Sequence, residues 1–225
     1  KKHNVDVIVA LGAKTPYYPE YHLPSQIRDQ VAFGAEINAS HPIADDILVV
    51  NRMVVTRLSK FDNILYWQVE NEPLLANVNK WKIDLEFLEK EVEVVRRNDI
   101  NSRPVILSHV GPSIFDREWE KLFAIMKPGD VLGVNAYFET QGTYLFQTKT
   151  FGRQININWP RKLSWPVQSW TGLSPNFSKV RDKVRQKGFD LWILELQAEP
   201  YIRNFDDAKS PSFAYTPADI EKALN

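Results

Sequence analysis

Short apolar runs alternate with longer segments of helical period, and this alternation constrains the fold more than any other feature of the chain. The runs are rich in Val, Ile, Leu and aromatic residues, and they predict five strands, at residues 5–12, 64–69, 104–109, 130–137 and 190–196. Nearly continuous apolar runs of this length are typical of parallel strands that are buried on both faces. The pattern therefore predicts βαβ units around a parallel sheet.

The segments between the predicted strands are of two kinds. Apolar residues at helical spacing predict helices at residues 45–60, 81–97, 115–126 and 177–187, and a capped helix start at 216. The segment 138–176 breaks the alternation and is rich in aromatic residues, so we interpret it as a long loop or lid.

The number of strands sets the architecture that we expect. A closed (β/α)8 barrel needs eight strands and roughly 250 residues, whereas this chain of 225 residues begins directly in an apolar strand and offers five. We expect a single α/β domain over residues 1–225, namely an incomplete (β/α)8 TIM barrel of about five βα units.

Composition excludes several classes of partner. The 28 basic and 28 acidic residues leave no net field that would attract nucleic acid or an anionic membrane. No apolar run reaches the roughly 18 residues of a membrane span. The 12% of aromatic residues would suit the apolar faces of sugar rings, although they serve equally as extra core. We therefore predict an uncharged partner, and composition leaves both the compartment and the oligomeric state open.

Metal and nucleotide cofactors are not expected. The chain has no cysteine, its four histidines show no ligand spacing, and its nine glycines form no phosphate-binding loop.

Two glutamates at predicted strand ends are the candidate catalytic residues. Glu72 lies in Asn71-Glu72-Pro73, directly after the strand 64–69, and Glu195 lies at the end of the strand 190–196. The carboxyl ends of barrel strands meet at one face, where a pair of carboxyl groups can act as acid/base and nucleophile on a glycosidic bond. A helix cap and a buried ion pair are the structural alternatives, and Glu199 is a rival nucleophile.

This arrangement resembles clan A glycoside hydrolases, nearest to the cellulase-like family 5. The resemblance covers nearly the whole chain, which would span about strands 3 to 7 of the barrel. It implies that Glu72 is the acid/base, that Asn71 binds a sugar 2-hydroxyl, and that Glu195 is the nucleophile. The run that ends at Tyr137 is similar to strand 6, so Tyr137 would hydrogen-bond the nucleophile. Asn135 stands where the family usually has a histidine and is expected at the substrate.

Further candidate binding residues are less specific. His109 ends a predicted strand, and an aromatic platform could be formed by Trp159, Trp165 and Trp170 in the segment 138–176. Structural roles are the alternative for all four.

The predicted function is a retaining β-glycosidase with a carbohydrate substrate. A carbohydrate-binding pseudoenzyme or inactive barrel fragment is the alternative from another class. An aldolase-like enzyme is disfavoured because the sequence shows no lysine at a predicted strand end for a Schiff base.

Overall fold

A computed structural model of the chain describes residues 5–16, 21, 23–76, 81–110, 118–136, 140–141, 144–150, 153–158, 177–196 and 201–202. Over these residues the helices are α1 (Ser25–Arg28), α2 (Ala44–Leu58), α3 (Leu85–Asn98), α4 (Phe177–Gln186) and a 3-10 helix (Glu118–Ala124). The strands are β1 (Val7–Leu11), β2 (Glu36–Ile37), β3 (Ile64–Val69), β4 (Lys82–Ile83), β5 (Val105–Val110), β6 (Val131–Ala136), β7 (Thr140–Gln141), β8 (Tyr144–Thr150), β9 (Arg153–Asn158), β10 (Asp190–Leu196) and β11 (Tyr201–Ile202).

The centre of the fold is a five-stranded parallel sheet in the order β1-β3-β5-β6-β10. These are the five strands that the apolar runs predict, and they lie side by side in chain order. The protein is therefore a mixed α/β structure with a mostly parallel central sheet.

Helix α3 begins later than the sequence predicts, because residues 82–83 are a strand instead of its first turn. Lys82–Ile83 pairs in parallel with Glu36–Ile37. The carboxylate of Asp84 then accepts hydrogen bonds from the backbone N–H groups of Glu86 and Phe87 and caps the helix N-terminus. A helix predicted from periodicity alone is extended through such a strand when the apolar residues of the strand fit the helical spacing.

Two other segments also differ from prediction. The helix expected over residues 115–126 is a 3-10 helix at Glu118–Ala124. The segment 138–176, interpreted as a loop or lid, contains an antiparallel hairpin of β8 and β9 and the strand β7, which pairs with β11. The helix predicted from 216 lies outside the described residues.

The two faces of the sheet have different roles. Alternate side chains of a strand point to opposite faces, so β5 presents Val105 and Leu107 to the helix layer of α2 and α3, in one core with Phe87 and Val92. The opposite, inner face carries Ile106 and Ser108.

Within the described residues, no helix is long and apolar enough to cross a membrane.

The sheet is strongly curved around its inner face. The rings of Tyr66 on β3 and Trp192 on β10 lie edge to face, with centroids 4.6 Å apart, although β5 and β6 separate these strands. Neighbouring strands lie about 4.8 Å apart, so a flat sheet would hold β3 and β10 roughly 14 Å from each other. The curvature brings the inner-face side chains of distant strands into contact.

Candidate functional site

The end of β3 carries three buried polar residues, Glu70, Asn71 and Glu72, in an unusual backbone conformation. Both glutamates are left-handed, with φ of 58° at Glu70 and 45° at Glu72. This conformation costs a non-glycine residue about 1–3 kcal/mol and persists only where surrounding contacts fix it. Such contacts come from the segment after β1, from β5 and from β6.

Glu72 is held at three points by three different parts of the chain. Its backbone N–H donates to the hydroxyl of Ser108 on β5 (2.9 Å), and its carbonyl oxygen accepts from the Nζ of Lys14 (2.6 Å). Its carboxylate Oε1 accepts from the Nδ2 of Asn135 on β6 (3.0 Å). Both peptide groups and the carboxyl group of Glu72 are thereby oriented.

Asn71 and Asn135 form the polar floor beside this carboxyl group. The Oδ1 of Asn71 accepts long bonds from Gln68 Nε2 (3.4 Å), Ser108 Oγ (3.3 Å) and Asn135 Nδ2 (3.5 Å). The Oδ1 of Asn135 is buried and has no hydrogen-bond partner among the described residues. A buried acceptor of this kind suits a ligand hydroxyl.

Glu195 reaches the same face of the sheet through an irregularity in β10. Ile193 pairs with Val134 and Glu195 with Asn135, so that Leu194 is an extra residue in β10. Such a β-bulge redirects the side chains that follow it. Paired residues of parallel strands share a face at a Cα separation of about 4.8 Å. Glu195, which is partly buried, therefore lies one strand spacing from the residue that binds Glu72.

The other predicted site residues divide into two groups. His109 is buried, but it alternates with Ser108 and pairs with Val134, so its side chain belongs to the opposite face of the sheet from Asn135. A role of His109 in substrate binding stays a prediction. The rest lie outside the described residues and stay predictions: Tyr137, Trp159, Trp165, Trp170 and the rival Glu199.

Lys14 and Ser108 are site residues that the sequence analysis missed. Lys14 lies three residues after the end of β1 and is fully buried at this edge of the sheet. Its Nζ donates to two carbonyl oxygens, those of Glu72 (2.6 Å) and Leu75 (2.8 Å). An ammonium group engaged in this way serves as a donor and not as the free amine of a Schiff base.

A second carboxyl pair lies behind the site. Glu70 accepts from the backbone N–H groups of Ala13 (2.7 Å) and Lys14 (2.6 Å), and it also contacts the carboxyl group of Glu91 on α3. Burial raises the pKa of Glu70, and the backbone N–H groups offset part of that rise. Burial and the neighbouring Glu70 raise the pKa of Glu91 well above its ordinary value, while a bond from Asn51 offsets part. Of the two carboxyl groups, Glu91 is therefore the one that favours its protonated form more strongly, and in that form it can donate to Glu70.

This pair predicts a pH-dependent stability that Glu91→Gln should remove. Folded Glu91 keeps a proton that the unfolded chain releases above about pH 4.3, so its contribution is complete below that pH and is lost as pH rises through the folded pKa. The amide that Glu91→Gln introduces can donate to Glu70 without titrating. We expect the free energy of unfolding of the variant, relative to wild type, to increase with pH by up to about 1.4 kcal/mol per unit.

Urea denaturation at half-unit steps from pH 4 to 8 measures this difference. The control is Glu89→Gln on the exposed face of the same helix, which should show no such trend. A wild-type-minus-variant difference that stays constant with pH would contradict the assignment of the proton to Glu91.

The site has no feature of a metal centre within the described residues, where no three His, Cys, Asp or Glu side chains form a group that could hold an ion. Comparison of the sequence with protein-family models and with curated proteins finds no match.

Proposed function

We propose that the protein is a retaining glycoside hydrolase that cleaves β-linked glycosides with Glu72 as acid/base and Glu195 as nucleophile. One observation carries the proposal. Asn135 donates to the carboxylate of Glu72 and is also the register partner of Glu195. Both glutamates are therefore neighbours of Asn135, and this supports the close approach of two carboxyl groups, about 5–5.5 Å, that double displacement requires.

The reaction proceeds in two balanced steps. In the first, a carboxylate oxygen of Glu195 attacks the anomeric carbon, the glycosidic C–O bond breaks, and the proton of Glu72 passes to the leaving oxygen. In the second, Glu72 accepts a proton from water, the water oxygen bonds to the anomeric carbon, and the ester bond to Glu195 breaks.

The two asparagines would bind the sugar next to the bond that breaks. The three bonds to the side chain of Asn71 engage its Oδ1, so the amide nitrogen is the end assigned to a sugar hydroxyl oxygen. Asn135 contributes the opposite polarity, since its Oδ1 can accept from a hydroxyl group. Hydrogen bonds at the 2-hydroxyl that strengthen in the transition state would add to the rate.

We also propose that the sheet belongs to a (β/α)8 barrel. The contact of Tyr66 with Trp192 supports this, because it requires a sheet curled around its inner face. The edge strands support it as well: Ile8 on β1 and Ile193 on β10 are 44% and 47% exposed, whereas β6 is buried at every position. Further parallel strands would cover these apolar edges, as both faces and edges are covered in such barrels.

Aryl β-glycosides test the function directly. The chain, alone or within any longer protein that contains it, is expected to hydrolyse one or more 4-nitrophenyl β-glycosides of a panel of common sugars, with retention of configuration. Proton NMR of the first product anomer gives the stereochemistry. Initial formation of the inverted anomer would contradict the proposal. If the protein binds sugars but hydrolyses no glycoside of the panel, the result would favour a carbohydrate-binding protein.

A further inference from the structure

We propose that Lys14 and Glu70 are positioning residues that hold Glu72 in the orientation needed for proton transfer. The inference rests on the function proposed above and adds two residues to it. Lys14 acts through the backbone carbonyl of Glu72, and Glu70 acts through the backbone of Lys14.

The orientation of Glu72 is set through its two peptide groups. The direction of the Cα–Cβ bond follows from the positions of the backbone N, Cα and C atoms. Ser108 fixes the N–H on one side, and the Lys14 ammonium group fixes the carbonyl oxygen on the other. Lys14 also binds the carbonyl of Leu75, so it closes the turn from Glu72 to Leu75. The left-handed conformation of Glu72, with a φ of 45°, is strained, and these bonds hold the residue in it.

Lys14 is itself fixed by Glu70 and Asn71. The carboxylate of Glu70 accepts from the backbone N–H of Lys14 (2.6 Å), and the carbonyl oxygen of Lys14 accepts from the backbone N–H of Asn71 (2.9 Å). The segment after β1 and the turn after β3 therefore bind each other through side chains and backbone in both directions. A change at Lys14 or Glu70 should reach Glu72 without any direct contact with the sugar.

The charge of Lys14 matters because the contacts are buried. Charge-assisted hydrogen bonds are roughly twice as strong as neutral ones, and a buried carbonyl that loses its donor is costly. Lys14→Met keeps most of the apolar stem but leaves the carbonyls of Glu72 and Leu75 without this donor. We expect the turn to relax and the Glu72 carboxyl group to lose its alignment with the leaving oxygen.

The expected kinetic signature depends on the leaving group. Glu72 must protonate a poor leaving group such as an unsubstituted phenol or an alcohol, whereas 2,4-dinitrophenolate leaves without a proton. General acid catalysis contributes about 10²–10⁴-fold, so we expect Lys14→Met to lower kcat/KM about 100-fold for phenyl β-glycosides and less than about 3-fold for 2,4-dinitrophenyl β-glycosides. A purely structural loss of folded protein would lower both equally.

Chemical rescue tests the role of the ammonium group. The chain has no cysteine, so the single thiol of Lys14→Cys can be alkylated with 2-bromoethylamine in the unfolded state before refolding. This reaction restores an ammonium group at nearly the original distance and should recover most of the activity toward phenyl glycosides. Wild-type protein taken through the same cycle is the control for refolding.

Arg96→Met is the matched control for loss of a partly buried cation. Arg96 also donates to a backbone carbonyl, that of Ile125 (3.0 Å), and pairs with Asp130, away from Glu72. The kcat/KM of this variant should fall by the same factor, if at all, for both classes of substrate. If Lys14→Met does not fold, Glu70→Gln replaces it, and the same selective loss is expected.

The outcomes separate the two proposals. Equal losses for phenyl and dinitrophenyl substrates, in a wild-type protein that is active, would overturn the positioning role and leave the glycosidase intact. Wild-type protein without activity toward any glycoside would overturn both.

Discussion

Replacing Glu195 by Gln is expected to lower kcat/KM for aryl β-glycosides by about 10⁴-fold or more, since removal of a nucleophile costs factors of this size in other enzymes. The amide cannot form the glycosyl ester, so the double displacement loses its first step. Because both classes of substrate need this step, kcat/KM should fall by a similar factor for phenyl and dinitrophenyl glycosides. Initial-rate kinetics on purified protein measures it.

Glu199→Gln is the matched control for this experiment, since Glu199 is the rival nucleophile four residues later. It should retain activity within about 10-fold of wild type, because the first step does not depend on this carboxyl group. A 2-deoxy-2-fluoro glycoside with a good leaving group should label the Glu195 side chain itself, as located by fragmentation of the labelled peptide in mass spectrometry. A label on Glu199, together with an active Glu195→Gln variant, would show that the nucleophile was assigned wrongly.

Gly12→Ala is expected to cause the largest loss of stability, about 4 kcal/mol, because it combines backbone strain with displacement of a buried carboxyl group from its donors. Gly12 has a φ of 102°, and a Cβ atom at this position would overlap the carboxyl group of Glu70. Urea denaturation of the variant, monitored by tryptophan fluorescence, gives the free energy of unfolding.

Gly34→Ala separates the two contributions. Gly34 also has a positive φ, of 80°, but nothing lies within 4 Å of the Cβ position. Its substitution should cost about 1–2 kcal/mol from backbone strain alone. Equal losses at Gly12 and Gly34 would mean that Glu70 adjusts freely and that the contacts around it are weaker than we infer.

The sequence predicted the strands because each of them is a compact apolar run. The run of β6 is buried at all six positions, and this uniform burial is what a nearly continuous apolar sequence records. The order of the sheet followed from the alternation with helices. The hairpin of β8 and β9 was missed because it pairs locally, within a segment whose many aromatic and proline residues favoured a loop.

The sequence predicted only those candidate site residues that lie at the ends of strands. Asn71, Glu72 and Glu195 lie at the ends of apolar runs, which is a signal along the chain. Lys14, Ser108 and Glu91 act through contacts between elements distant in sequence, and nothing in their local pattern distinguishes them from surface residues or ordinary core residues. His109 shows what this signal leaves open, since a strand end indicates the edge of a sheet but not the face to which a side chain points.

The bulge at Leu194 divides β10 into two parts whose side-chain patterns are set by different surroundings. Up to Ile193 its pattern is set by packing against the rest of the sheet and α4, whereas Glu195 pairs with Asn135 of the candidate site at the C-terminal edge. One extra residue lets these two patterns be out of phase. An engineer who straightened this strand by deleting Leu194 would obtain a more regular sheet, in which Ile193 and Glu195 still face Val134 and Asn135, but would lose the added local twist that a bulge gives a strand.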